Sequence, residues 1–132
     1  MYSQENSRPS RPDQTVILVV DDEVMIRNIT RVVLEQEGYF ILAAHDAEEA
    51  LHLSEKFPGT IHAVLSDVMM PTIDGLQLRE RILTERPGIK VLLMSGCVDA
   101  PPPSNIPFLP KPFNPAVLIE RIRQLLVSAA TE

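Results

Sequence analysis

Thr15-Val16-Ile17-Leu18-Val19-Val20-Asp21-Asp22 is an uninterrupted apolar run of strand length that ends in two adjacent acids. Strict alternation would mark a strand with one wet face. A continuous run marks a strand buried on both faces, as in parallel sheets covered by helices. The same punctuation recurs: residues 63–66 end at Asp67, and the short segment 107–110 ends at Lys111. In an open α/β sheet the carboxyl ends of the strands share one edge, where sites are assembled. Three carboxylates and a lysine, remote in sequence, are therefore expected to converge. Clustered carboxylates repel one another unless a hard cation neutralises them, and a lysine beside them can pair with an incoming phosphate. The constellation points to magnesium-dependent phosphoryl chemistry.

Outward from this run, strand and helix signals alternate. A helix beginning near Glu23, which the two aspartates could cap, carries Val24, Ile29, Val32 and Val33 at roughly helical spacing and stops at Gly38. Phe40–Ala44 reads as the second strand, with Asp46 capping a helix through Ala50, Leu51 and Leu53 that Pro58-Gly59 breaks. Residues 63–66 form the third strand, 75–86 a helix using Leu76, Leu78, Ile82 and Leu83, and Pro87-Gly88 the next turn. Residues 91–94 give a fourth strand and Phe108–Pro110 a short fifth. Asn114 caps a last helix with Pro115 at its first position and Leu118, Ile122, Leu125 and Leu126 inward. Such alternation predicts a parallel sheet covered on both faces. Between Ser95 and Phe108, Pro101, Pro102, Pro103 and Pro107 argue for a loop or a turn of 3₁₀ helix rather than a full helix.

A chain of 132 residues, 45% apolar and 23% charged, fits one globular domain with a genuine core. Residues 1–13 are almost wholly polar and read as a disordered leader, 14–129 as the folded domain and 130–132 as a tail. The net charge of −6 argues against general binding to nucleic acid or anionic membranes. A single cysteine, Cys97, forms no intramolecular disulfide, and no apolar stretch approaches a membrane span or a signal core. Cytoplasmic residence is the simplest expectation.

Ser66-Asp67-Val68-Met69-Met70-Pro71-Thr72-Ile73-Asp74-Gly75 resembles the phosphoacceptor segment of bacterial response-regulator receiver domains: an aspartate and an apolar residue, then Met-Pro and a later Asp-Gly. Val19-Val20-Asp21-Asp22-Glu23 is similar to that family's acidic pair, Leu92-Leu93-Met94-Ser95-Gly96 to its hydroxyl-bearing strand end, and Pro110-Lys111-Pro112-Phe113 to its lysine-proline motif. Four motifs in the right order span the folded part of the chain. The resemblance implies a five-stranded doubly wound sheet of flavodoxin-like order 2-1-3-4-5, with the fourth helix shortened or missing here.

It also implies roles. Asp67 would be the phosphoacceptor, taking a phosphoryl group from a phosphohistidine of a sensor histidine kinase or histidine phosphotransfer protein, or from a small acyl phosphate. Asp22, Asp67 and the backbone carbonyl of Met69 would bind Mg²⁺ directly and Asp21 through water, while Lys111 would pair with the transferred group. Ser95 would hydrogen-bond a phosphate oxygen, and Phe108 would turn inward as that hydroxyl moves. The peptide bond after Lys111 is a candidate cis bond. Met69 and Cys97 occupy positions that influence hydrolysis of the aspartyl phosphate, and an apolar Met69 implies slow self-dephosphorylation. Cys97 has no visible activating partner; His45, His52 and His62 lack metal-ligand spacing and read as surface or rim residues, and Met70 as packing.

A receiver of this kind is a signalling phosphoacceptor and not a turnover enzyme. Its bland counterparts are helix-capping aspartates, a surface serine, a core phenylalanine and a solvated lysine. Two other classes are weighed: a Mg²⁺-dependent phosphohydrolase with an aspartate nucleophile, and a degenerate receiver serving only as a binding module. The first usually shows an Asp-x-Asp pattern after the first strand and a cap domain, neither of which this sequence contains; the second would be expected to have lost site residues. With no effector domain in the sequence, the chain reads as a stand-alone regulator or as the receiver portion of a hybrid kinase or longer regulator, with a possible effector domain or partner protein.

Overall fold

The computed structural model describes residues 9, 11–96 and 105–127. In chain order the elements are β1 (Val16–Val20), α1 (Val24–Gln36), β2 (Phe40–Ala44), α2 (Ala47–Lys56), β3 (Ala63–Asp67), α3 (Gly75–Glu85), β4 (Lys90–Ser95), β5 (Phe108–Pro110) and α4 (Pro115–Val127). The five strands form one parallel sheet in the order β2-β1-β3-β4-β5, the flavodoxin-like order expected.

Both faces of the sheet are covered, which explains the continuous apolar runs. Successive side chains of β1 point to opposite faces, so Leu18 and Val20 enter one core with Leu78 and Ile82 of α3, while Ile17 and Val19 enter the other with Leu34 of α1 and Leu118 and Ile122 of α4. All five residues of β1 are buried.

Most helix boundaries follow from their caps. Asp46 accepts the Glu49 N–H, Asn114 accepts the Val117 N–H, and Asp74 forms a reciprocal capping box with Gln77. Gly38, at φ +96°, ends α1 in the left-handed region. The N-terminus of α1 differs from expectation: Glu23 is the N-cap and makes no side-chain cap, and the Asp21 carboxylate accepts the Glu23 N–H, one residue ahead of the helix.

The apolar spacing of α1 also misleads. Val24, Ile29 and Val32 are exposed, with Met25, whereas the buried positions are Thr30 and Leu34, with Val33 packing at the core edge. This helix carries two apolar stripes, and the wetter one is the more conspicuous in sequence. In α4 the expected face is the buried one: Leu118, Ile122 and Leu125 are buried and Leu126 partly so.

The amino-terminal edge of the sheet is tied by polar contacts. His62 is half-buried: its Nδ1 accepts the Val16 N–H at 3.0 Å, and its own N–H donates to the Val16 carbonyl at 2.9 Å, prolonging the β1–β3 pairing. Arg86, just past α3, donates to the carbonyls of Ser54, Phe57 and Gly59 and to Ser54 Oγ, gathering orphan acceptors at the end of α2.

Within the expected leader, residues 11–13 form a turn in which the Gln14 N–H donates to the Arg11 carbonyl. Residues 1–8 and 10, the tail, Cys97 and most of the proline-rich segment lie outside the described residues, and with them the expected loop or 3₁₀ turn and the shortened or missing fourth helix. Four helices are present among the described residues. None is long and apolar enough to cross a membrane.

Candidate functional site

Parallel registry brings the candidate residues together. Val20 is level with Ser66, Asp67 with Met94, and Ser95 with Pro110, so β1, β3, β4 and β5 end at one edge. Beyond the strands the ladder continues: the N–H groups of Asp21, Val68 and Lys111 donate to the carbonyls of Ala44, Met94 and Ser95 at 3.1, 2.8 and 2.9 Å. Asp21, Asp67, Ser95 and Lys111 are thereby placed by main-chain geometry.

Between Asp67 and α3 the chain turns sharply. The Ile73 N–H donates to the Pro71 carbonyl at 2.7 Å, closing a three-residue turn with Thr72 at φ 69°. The Gly75 N–H then donates to the Val68 carbonyl at 2.8 Å. A Cβ at Gly75 would lie 2.4 Å from the Asp67 carbonyl oxygen and 2.8 Å from Val68 Cα. Only glycine lets α3 seat this closely under the Asp67 loop.

Asp21 is fully buried and Asp67 is 7% exposed, while Asp22 is exposed. One oxygen from each carboxylate lies within 4.8 Å of the others. Lys111, its side chain 12% exposed, reaches over them: Nζ is 2.9 Å from Asp21 Oδ2, 3.1 Å from Asp67 Oδ2 and 3.3 Å from Glu23 Oε1. The Met69 N–H points toward Asp67 Oδ1 at 3.4 Å, and its side chain is exposed. Ser95 is buried at the end of β4. Phe108 is half-buried, level with Leu93 and packed against the core on the α2–α3 face. The Lys111–Pro112 peptide bond is cis.

The electrostatics of the pair are unequal. Burial pushes the Asp67 carboxyl above its ordinary value, with the charge and hydrogen bond of Lys111 opposing and the Asp21 charge adding to the rise. Burial works against the Lys111 charge too, but the hydrogen bond to Asp21 and the fields of Asp67 and Asp21 outweigh it, and Lys111 is pushed up to about 12. Lys111 gains from several carboxylates at once, whereas Asp67 receives only a share of one cation.

Two neighbours were not expected from sequence. Glu23 adds a third carboxylate to Lys111, and Arg27, one turn into α1, donates from Nη1 to the Asp21 carbonyl at 2.9 Å. Glu23 is adjacent to the acidic pair and could have been suspected from that adjacency. Nothing in the sequence singles out Arg27. His45, exposed at the end of β2, pairs with Asp46 and Glu49 and takes no part in the cluster.

Acid oxygens around a lysine suit a hard divalent cation and an anionic group beside it. Known proteins share this fold and sequence pattern. The family described as response regulator receiver domain matches residues 17–123. The sensor kinase CckA of Brucella abortus is 33% identical over 116 residues, covering 83% of this chain and 12% of that protein. The transcriptional regulatory protein CpxR of Escherichia coli K12 is 34% identical over 115 residues, covering 83% of this chain and 48% of that protein. The chain thus spans about half or less of these relatives' length. Among solved structures, the receiver domain of the hybrid histidine kinase CckA superposes with a TM-score of 0.70 at 38% identity, over 84% of this chain and 98% of that one. A CheY-like receiver domain protein from Methanospirillum hungatei gives 0.76 at 30% identity, over 86% and 94%. By fold, strand order and sequence, the chain belongs to the response regulator receiver domain family and is a receiver domain of the two-component type.

Proposed function

We propose that Asp67 is the phosphoacceptor and that the chain takes its phosphoryl group from a phosphohistidine. The observation that carries this reading is the convergence of Asp67 with Asp21, Asp22 and Lys111 at one edge of the sheet. An Asp67 carboxylate oxygen attacks phosphorus; the P–N bond to the donor imidazole breaks, its electron pair stays on nitrogen, and the product is an aspartyl phosphate. Lys111, already aimed at Asp67 Oδ2, pairs with the phosphoryl oxygens as they arrive. Asp22, Asp67 and the Met69 carbonyl would hold Mg²⁺, with Asp21 supporting the site. Bound there, the ion supplies positive charge that offsets the charge on the transferring group. The donor set, all oxygen and mostly anionic, fits that ion.

Ser95 and Phe108 extend the site into a switch, in which the Ser95 hydroxyl draws toward the phosphoryl group and Phe108 turns inward, shifting a pre-existing equilibrium. The exposed stripe of Met25, Ile29 and Val32 on α1 begins beside the acidic pair and supports docking of a sensor histidine kinase or histidine phosphotransfer protein at this edge. The chain acts as a cytoplasmic signalling phosphoacceptor, not a turnover enzyme, and passes its state to an effector domain or partner protein. An apolar Met69 makes the aspartyl phosphate long-lived.

Incubation with Mg²⁺ and acetyl phosphate followed by intact-mass measurement tests the assignment. A single-phosphate adduct on the wild type, absent in Asp67→Asn, is expected; phosphate release without an adduct would sink it in favour of a hydrolase.

A further inference from the structure

Of the three carboxylates on Lys111, one is surplus to phosphoryl transfer. Asp67 receives the group and Asp21 belongs to the cation site, but Glu23 has no place in either role. Its side chain is 63% exposed, against 0% for Asp21 and 9% for Asp67, yet Oε1 lies 3.3 Å from Lys111 Nζ. Its backbone is held: the Glu23 N–H donates to Asp21 Oδ1 at 2.9 Å, and its carbonyl accepts the Arg27 N–H at 2.9 Å. The carboxylate is therefore delivered to the lysine by a fixed main chain while remaining free to swing into water without a desolvation cost.

We propose that Glu23 is a positioning residue, an exchangeable counter-ion that occupies Lys111 while Asp67 is unmodified and is displaced by the phosphoryl oxygens. The proposal rests on the reading of Asp67 as phosphoacceptor and adds a residue to it. Three carboxylates, those of Asp21, Glu23 and Asp67, share one lysine, so an incoming anion competes for Lys111. The buried acids cannot leave. Glu23 can, and its departure is the cheapest way to free a donor for phosphate. The exchange lets Lys111 remain paired in both states, and it sets a small electrostatic toll on phosphorylation.

The test compares wild type, Glu23→Gln and Glu23→Asp at saturating Mg²⁺, so that metal affinity does not enter. Two quantities are read: the rate of adduct formation from acetyl phosphate by intact mass, and the Lys111 ε-methylene NMR resonance without donor, assigned through Lys111→Arg. Aspartate keeps the charge but is one methylene too short for the contact. The expected result is that both variants move the Lys111 resonance and both form adduct faster, by about threefold, the scale of an exposed ion pair. If Glu23→Asp matches wild type while Glu23→Gln is faster, the effect is general repulsion of an anionic donor and the counter-ion role is overturned. Unchanged rates in both variants overturn it as well, whether or not the resonance moves. No adduct on the wild type defeats the phosphoacceptor reading itself, a result distinct from equal rates across variants.

Discussion

The Lys111 N–H donates to the Ser95 carbonyl across 2.9 Å, so the lysine and the hydroxyl-bearing end of β4 share one stretch of backbone hydrogen bonding. In the proposed switch, movement of Ser95 toward a phosphoryl group would reach β5 through this bond. We expect the Phe108 amide resonance to shift when wild type binds beryllofluoride with Mg²⁺, and to shift far less in Ser95→Ala although the ligand still binds. A full shift in the alanine variant would disconnect the hydroxyl from the switch.

Burial pushes the Asp67 carboxyl up from its ordinary value of 3.8. A carboxyl whose folded value is raised contributes stability fully present below its unfolded value and lost as pH rises through the folded one. Ionised Asp67 therefore costs the metal-free fold stability at neutral pH. Asp67→Asn is expected to melt higher than wild type at pH 7 without divalent ions, with the gap closing below pH 3.8, as thermal scans across that range would reveal.

Gly75→Ala places a methyl group within 2.4 Å of the Asp67 carbonyl oxygen. Backbone on backbone cannot yield as a flexible side chain would, so α3 or the Asp67 loop must shift. The expected loss is about 1–3 kcal/mol of unfolding free energy. Because the displaced atoms belong to Asp67, adduct formation should slow in the same variant; chemical denaturation and intact mass check the two effects separately.

Thr30 is buried on α1, and its hydroxyl finds no hydrogen-bond partner among the described residues. Replacing it with isosteric valine removes an unpaid desolvation and keeps the shape. Thr30→Val should raise unfolding free energy by about 1–2 kcal/mol, measured by urea titration. A neutral or destabilising result would mean the hydroxyl is satisfied in solution.

Legibility from sequence differed between elements for physical reasons. β1 and β3 were readable because strands buried on both faces have no polar alternation to obscure them, and each site acid follows directly where its run ends. α2 and α4 were readable through Asp46 and Asn114, whose caps are local chemistry, and α3 through Leu76, Leu78, Ile82 and Leu83, although its capping box at Asp74 reads in sequence only as a turn. On α1 the spacing of Val24, Ile29, Val32 and Val33 marked a helix, but periodicity identifies a stripe without saying which side of the helix meets the sheet. Glu23 escaped because its partner, Lys111, stands 88 residues away and the contact depends on side-chain reach. The family resemblance supplied what spacing alone could not, the proposed order of roles among Asp21, Asp22, Asp67 and Lys111.

Arg86 gathers three carbonyls and a hydroxyl at the far end of α2, locking that helix to the end of α3. Sliding one helix past the other would sever several of these bonds together, so this flank behaves as a stator. The compliant flank is the opposite one, where β5 is three residues long and Arg121 of α4 holds the Phe108 carbonyl by a single bond at 2.7 Å. A push delivered at Asp67 finds an anvil on one side and a lever on the other.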